Sequence, residues 1–461
     1  MPDTAAALAQ LDNDIDGAVD RLFELVRFES ISTDPAYAPE CRKAAEWLAK
    51  DLASIGFTSR VADTQGHPMV VGHHDGPGPH VLFYGHYDVQ PVDPLDLWTN
   101  GAPFEPNLIE VNGRKVIHGR GAADDKGQTM TFIEACRALK ATTGTLPCKV
   151  TVMLEGEEES GGESLPPFLE ANREELTADI ALICDTGMWD AKTPAITTML
   201  RGNVADQLTV HAASRDLHSG MYGGAAQNPI HVITRILAAM HDDDGRIAIP
   251  GFYEGVHEVP DHIRKQWEGL GFDTQAFLGD IGLSEPWGKH GYSALEHIWS
   301  RPTAEVNGIW GGYISEGFKT VIPAEAHAKI SFRLVGDQDP EDIRAKFRAF
   351  VQDRLPSDCS ASFKSRGGGH ASVMPTDDPK FEKARQALSE EWGVEASFIG
   401  EGGSIPVVGE LKARLGMDSM LIGFGLKDDN IHSPNEKYEL TSFHKGARSW
   451  VRVLSALGGE T

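Results

Sequence analysis

The sequence predicts an α/β fold: a mostly parallel sheet held between helices, interrupted by an inserted α+β unit. Three observations carry that reading. Residues 80–84, 149–154, 179–184 and 419–424 are continuous apolar runs rather than alternating ones, as expected of strands buried on both faces. Helix-period stretches lie between them, and strands alternating with helices mean a layered α/β architecture. The middle of the chain changes texture, with alternating Val204, Leu208 and Val210 suited to a sheet wetted on one face.

Taken in order, the first element is a helix over 8–26, where Leu8, Leu11, Ile15, Val19, Leu22 and Val26 recur every three to four residues. A second helix over 42–55 is closed by Gly56, the residue type suited to a left-handed C-cap. The buried run 80–84 then ends in Gly85-His86-Tyr87-Asp88. Further helices are expected at about 129–141, 379–392 and 440–457. Within the insert, a strand over 204–213 leads to a helix at 229–240 and a polar, Gly- and Pro-punctuated stretch over 241–317. A strand over 326–335, a helix opened by Pro340-Glu341-Asp342 and a short strand near 360–364 complete it, with Gly367-Gly368-Gly369 as the return hinge. The expected division is 1–200 and 367–461 for the larger domain, with 201–366 inserted.

The chain has 461 residues, with 68 Asp and Glu against 42 Lys and Arg, a formal charge of −26. That balance argues against nucleic acid or an anionic membrane as partner, since both need a basic surface. No apolar run reaches the roughly 20 residues of a membrane span. The amino-terminal stretch lacks a basic start followed by an apolar core, so no secretory leader is expected. Cys41, Cys136, Cys148, Cys184 and Cys359 include no C-x-x-C pair, and reduced thiols in the cytoplasm are expected.

The chemistry-bearing residues stand at the carboxyl ends of the buried runs, where open α/β sheets bind ligands. His86 and Asp88, two apart on extended chain, share a face, and a histidine ligand commonly gives its second ring N–H to a carboxylate. Alone, the pair is a weak signal, and a structural histidine is the better reading of it. Gly119-Arg-Gly-Ala-Ala-Asp124-Asp125-Lys126-Gly127 opens a helix but is neither G-x-G-x-x-G nor a Walker A sequence. Its paired aspartates suit a cation better than a phosphate. Glu155-Gly-Glu157-Glu158-Glu159 follows the second run, Asp185 ends the third, and His432 lies in a loop after the fourth. Two histidines and three carboxylates without a thiolate suit Zn²⁺, Mn²⁺ or Co²⁺. Five ligands exceed what a mononuclear catalytic zinc takes, and a bridging carboxylate would let them hold two ions.

The ordered motifs resemble the M20 metallopeptidases, closest to the cytosolic non-specific dipeptidase and carnosinase-like branch. The resemblance is carried by GHYDVQP at 85–91, GRGAADDKG at 119–127, EGEEESG at 155–161 and DLHSGMYGG at 216–224. It continues with KTVIP at 319–323, FRLV at 332–335, EGGSIPV at 401–407 and IHSPNE at 431–436, so it spans nearly the whole chain. It implies a zinc-exopeptidase-like catalytic domain plus an inserted lid or dimerisation domain. The implied reaction is hydrolysis of dipeptides or short peptides with a free C-terminal carboxylate. Two divalent ions per subunit are implied, zinc first, with Mn²⁺ or Co²⁺ as alternatives.

Residue by residue, the resemblance implies His86 and Asp185 as ligands of one ion and Glu159 and His432 as ligands of the other. Asp124 would bridge both, followed by a cis peptide bond. Asp88 stands behind His86, and Glu158 resembles the general base acting on the bridging water, with Glu157 a bystander. His218 resembles the histidine that reaches the partner subunit's site in a homodimer and stabilises the oxyanion. Thr320 and Arg333 resemble substrate contacts, Arg333 gripping the C-terminal carboxylate bidentately. Gly402, Gly403 and Ser404 look like the loop offering N–H and hydroxyl groups to that carboxylate. Asn228, before Pro229, is a further polar contact or a plain helix N-cap.

Two positions depart from that branch. Gly400 stands where an arginine usually precedes EGGS, and where the branch carries a histidine before Gly-Gly this chain reads Arg366-Gly-Gly-Gly-His370, which leaves open whether His370 substitutes. Both bear on substrate preference. An N-acyl-amino-acid deacylase or carbamoylase using the same metals is the alternative reading. A non-catalytic metal- or peptide-capturing protein would have lost a ligand or Glu158, and none is missing. No G-x-S-x-G occurs for a serine hydrolase, and His257-Glu258-Val-Pro-Asp-His262 is not H-E-x-x-H.

Overall fold

The computed structural model describes residues 4–287 and 291–459. The chain forms two compact units, one of Met1–Thr198, Met374–Ile399 and Glu410–Thr461, the other of Met199–Val373 and Gly400–Gly409.

The first unit is built on a sheet whose centre is parallel. Gly78–His86 runs parallel to Cys148–Glu155 on one side and to Ile180–Ile183 on the other, and Ile180–Ile183 runs parallel to Ser419–Leu421. These strands are the four continuous apolar runs, and they are largely buried. The flanks are antiparallel: Met69–His74 lies beside Cys148–Glu155, Thr58–Ala62 beside Met69–His74, and Ala195–Leu200 beside Ser419–Leu421. Helices Lys126–Thr143 and Leu440–Gly458 pack on each other and on Gly78–His86. There Trp450 meets Phe83, Phe132 and Phe424 edge-on. Each such aromatic pair adds about 0.5–1.5 kcal/mol beyond its burial. Register then aligns the strand ends, with His86 opposite Glu155 and both Tyr84 and Leu421 opposite Ile183. Whatever follows these residues emerges on one edge of the sheet, the carboxyl edge.

The first predicted helix is two. It breaks at Asp14 into Thr4–Asn13 and Ile15–Val26, where Asp14 leaves helical geometry (φ −109°, ψ 18°) and its carboxylate pairs with Arg21. The second helix begins earlier than expected, at Ala38, because Pro39 sits in its first turn where no N–H is needed.

The second unit is a four-stranded antiparallel sheet in the order Thr303–Gly311, Glu325–Leu334, Gly202–His211, Ser360–Gly369. Helices Pro229–Ala238 and Pro340–Gln352 pack on it. Every second residue of Gly202–His211 is buried, and Val204, Leu208 and Val210 enter a core with Ile233, Ile330, Phe332 and Phe347. Thr303–Gly311 lies in the stretch expected to be irregular. It is an edge strand in which only Ala304 is buried, and a bulge at Asn307 breaks the alternation that would have marked it. Short helices Asp261–Gly269, Thr274–Gly279 and Ala294–Trp299 lie in the same stretch.

The glycine triplet is not the return hinge. Gly368 and Gly369 pair with Val204 and Asn203, and a Cβ on Gly368 would lie 2.9 Å from the Asn203 carbonyl oxygen. The triplet thus lets two backbones approach within the sheet. Among the described residues, no helix is long and apolar enough to cross a membrane.

Candidate metal centre

The metal-ligand candidates gather at the carboxyl edge of the parallel strands. His86 ends its strand, Glu158 and Glu159 open the single 3₁₀ turn Glu158–Ser160, and Asp185 follows two residues after Ile180–Ile183. His432 lies in the loop after Ser419–Leu421 with φ 58°. Asp124 precedes helix Lys126–Thr143, and the Asp124–Asp125 peptide bond is cis.

Together they make two groups that share one residue. His86, Asp124 and Asp185 bring ligand atoms within 4.8 Å of one another, and so do Asp124, Glu159 and His432. His86 Nε2 is 3.1 Å from Asp124 Oδ1 and 4.0 Å from Asp185 Oδ1. His432 Nε2 is 3.0 Å from Asp124 Oδ2 and 3.2 Å from Glu159 Oε1. The two oxygens of Asp124 face different groups, as a carboxylate between two cations must.

The donor set fits divalent cations. His86 Nδ1 donates to the Asp88 carbonyl oxygen 3.1 Å away, and Nε2 donates to Asp124 and faces Asp185, so loss of the Nε2 proton would free its lone pair for a cation. Burial drives Asp185 well above the ordinary carboxylate range, with Asp125 and Asp124 adding to the rise against the opposing charge of His86. Burial also raises Glu158, against His86 and with Glu159 and Asp88. It would raise Asp124 too, but hydrogen bonds from His432 and His86 hold that carboxyl below the usual range. The bonds to Asp124 and Glu159 lift His432 to about 10. Protons here stand where cations would, so metal uptake releases protons.

Surrounding side chains hold the ligands in place. The Asp88 carboxylate does more than stand behind His86. Its Oδ2 accepts from Ser32 Oγ at 2.6 Å and Glu159 N–H at 3.0 Å, and Oδ1 accepts from Glu158 N–H at 3.3 Å. Its Oδ1 is 3.5 Å from His86 Nδ1, so the carbonyl is the closer partner of that ring. Gln90 Nε2 donates to Glu159 Oε2 at 2.7 Å, and Asp125 Oδ2 accepts from His86 N–H and Thr129 Oγ1. Buried Glu436 accepts from Ala123 and Asp124 N–H groups through Oε1, and from Gly121 N–H and Arg120 Nη1 through Oε2. It thereby fixes the loop that carries Asp124. Sequence reasoning gave no role to Ser32, Gln90 or Glu436, and read Asp125 only as one of a cation-suited pair of aspartates. Gln90 and Glu436 carried a signal, since each stands in a motif, GHYDVQP and IHSPNE, without an assigned part in it.

Glu436→Ala would leave Arg120 and three N–H groups buried without their acceptor. Breaking a buried ion pair costs about 3–5 kcal/mol, and denaturant unfolding should show a loss of that size with weaker metal retention on dialysis. A loss typical of an exposed pair, under about 1 kcal/mol, would contradict the role given to Glu436.

The other predicted residues all lie in the second unit. Leu217–His218 pairs with Val321–Ile322, and Ser219 N–H donates to the Thr320 carbonyl at 3.0 Å, which joins DLHSG to KTVIP. Exposed His218 accepts from Gly220 N–H at Nδ1, 3.0 Å away, so in the neutral ring the hydrogen sits on Nε2. Asn228 Oδ1 accepts from Ile230 N–H at 2.9 Å and so caps helix Pro229–Ala238. Arg333 stands opposite Asn203, and Asn203 Nδ2 lies 3.5 Å from Ser404 Oγ. Arg201 N–H donates to the Gly403 carbonyl, which secures the loop bearing Gly402. His370 Nε2 is exposed and 3.8 Å from Asp339 Oδ2. At Gly400 a Cβ would fall 2.5 Å from Trp299 Cβ, so an arginine there would have to displace a buried indole.

Comparison with known proteins places this arrangement. The family described as peptidase family M20/M25/M40 matches residues 82–456, a span that starts in the strand delivering His86 and ends beyond His432. The chain belongs to peptidase family M20/M25/M40. This M20 peptidase is 30% identical to the Cys-Gly metallodipeptidase dug1 of Schizosaccharomyces pombe, over 97% of each chain. It is 29% identical to the Beta-Ala-His dipeptidase of Homo sapiens, over 80% of this chain and 73% of that one. The solved structure of the di-peptidase Dug1p from Saccharomyces cerevisiae matches with a TM-score of 0.76 at 26% identity, covering 100% of both chains. The protein is therefore a metallopeptidase, a hydrolase of peptide bonds, and its donor set meets the family's need for divalent metal.

Proposed function

We propose that this M20 peptidase hydrolyses dipeptides or short peptides with a free C-terminal carboxylate, using a dinuclear centre held by His86, Asp124, Asp185, Glu159 and His432. The observation that carries the reading is the division of the two Asp124 oxygens between two ligand groups. The dipeptidase names of its relatives support the substrate class. Two divalent ions bound there supply Lewis-acid polarisation of the scissile carbonyl and a water acidic enough to react at neutral pH. Zinc is the first choice for these donors, with Mn²⁺ or Co²⁺ as alternatives.

The chain's own residues do the rest. Glu158 takes a proton from the attacking water and returns it to the leaving amine nitrogen. A positioned carboxylate raised by burial is matched to both transfers. Asp88 keeps that turn in place by accepting its N–H groups. Arg333 binds the C-terminal carboxylate bidentately, joined by Gly402, Gly403 and Ser404. Thr320 is a further polar contact, and Asn228 supports its helix as a cap. His218 donates from Nε2 to the oxyanion in the partner subunit of a homodimer, a role worth about 2.7–4 kcal/mol. The first unit is the catalytic domain and the second the lid and dimerisation domain. The five free cysteines support a reducing, cytoplasmic setting.

The test is a panel of dipeptides, their C-terminal amides and N-acyl amino acids, assayed with chelator and after Zn²⁺, Mn²⁺ or Co²⁺ is restored. Dipeptide turnover lost on chelation and restored by one ion is the expected result. Faster turnover of N-acyl amino acids, or full activity in metal-free protein, would overturn the reading. For the shared site, His218→Ala and Glu158→Ala subunits mixed into heterodimers should regain activity, because each mixed dimer holds one intact site. Heterodimers without recovery would exclude the role given to His218.

A further inference from the structure

The second unit holds two arginines, Arg201 and Arg333, on one face of its sheet without an ion pair among the described residues, although the chain carries 26 more acidic than basic side chains. Arg201 lies along the EGGS loop. Its main-chain N–H donates to the Gly403 carbonyl at 3.1 Å, its Nε donates to the Gly402 carbonyl at 3.1 Å, and Nη2 lies 3.1 Å from where a Gly402 Cβ would stand. Two residues on, Asn203 is paired with Arg333 across the sheet and reaches Ser404. The loop's own acid, Glu401, turns its Oε1 to Gly402 N–H instead of to either guanidinium.

A loop needs only a neutral donor to be held. Placing a second guanidinium beside the first costs repulsion, and burial followed by the charge of Arg333 pulls Arg201 down to about 10, against the weaker opposing charges of Glu401 and Glu305. That cost is recovered when an anion arrives between donors already in place. We propose that Arg201 is a second guanidinium of the carboxylate-binding corner, set beside Arg333 by the Gly402–Gly403 carbonyls, so that two arginines select for an anionic terminus. This rests on the reading of Arg333 and the EGGS loop as carboxylate contacts. Arg201 is a positioning and selecting residue with no part in the proton transfers.

The test uses Arg201→Gln, which keeps a donor for the Gly402 carbonyl but removes the charge, and Arg201→Lys, which keeps the charge without the planar fork. Binding of alanyl-leucine and of alanyl-leucinamide is measured by calorimetry on full-length, metal-loaded protein in a Glu158→Gln background. Arg201→Gln should weaken alanyl-leucine about tenfold or more, the loss of one hydrogen bond to a charged group. It should leave alanyl-leucinamide within about twofold, and Arg201→Lys should recover part of the acid's affinity. Equal weakening of acid and amide would make Arg201 a loop support only, and unchanged acid affinity would remove it from the site; either overturns the proposal. An acid-over-amide preference that depends on Arg201 in a protein that turns over no dipeptide would support the proposal while refuting the proposed reaction.

Discussion

Replacing Glu158 with Gln is expected to lower kcat by about 10²–10⁴-fold, the contribution of a positioned general base, while the metal content of the protein stays unchanged. Gln has the same shape and can still hydrogen-bond, but its amide cannot accept a proton from water at neutral pH. Glu158 belongs to neither group of ligand atoms, so its loss should cost no ion. The turn itself should keep its form, because Asp88 holds it through the main-chain N–H groups of Glu158 and Glu159. Amino-acid release and elemental analysis on the same sample decide the matter. Metal lost together with activity would make Glu158 a ligand, and an unchanged kcat would remove it from the reaction.

The second large effect belongs to Asp124. Asp124→Ala should empty both ligand groups, whereas His86→Ala should cost one ion and His432→Ala the other. The asymmetry follows from geometry, since Asp124 Oδ1 faces His86 and Oδ2 faces His432. Activity of Asp124→Ala should fall about 10³-fold or more, the equivalent of several kcal/mol of metal assistance to the barrier. Metal stoichiometry gives a readout independent of turnover. Retention of one full ion by Asp124→Ala would show that the two groups are separate sites. Because the ligand histidines must lose protons to bind, affinity in the unaltered protein should rise with pH, and acidification should strip the ions. Affinity independent of pH would argue against histidine ligation.

How much of this was legible depends on how far each feature reaches along the chain. The four parallel strands were readable because burial on both faces leaves continuous apolar runs. Four of the ligand candidates were readable because they stand at or soon after those runs, and Asp124 because it sits in a glycine-rich turn that opens a helix. Thr303–Gly311 was hidden because an exposed edge strand with a bulge shows no period-two pattern. The break at Asp14 was hidden because the apolar spacing continues across it. The glycine triplet resembled a hinge, although its lack of side chains serves close strand pairing.

The sequence by itself determined which residue types stand at the strand ends, because local periodicity encodes burial and the ligand candidates lie in short motifs. Tertiary structure alone decided which atom faces which. Glu436 holds Asp124 from 312 positions away, and Gln90 holds Glu159 from 69. The two oxygens of Asp124 are divided between histidines delivered by different strands. Such pairings follow from strand order and register, and register is an outcome of packing the whole sheet rather than of any local run of residues.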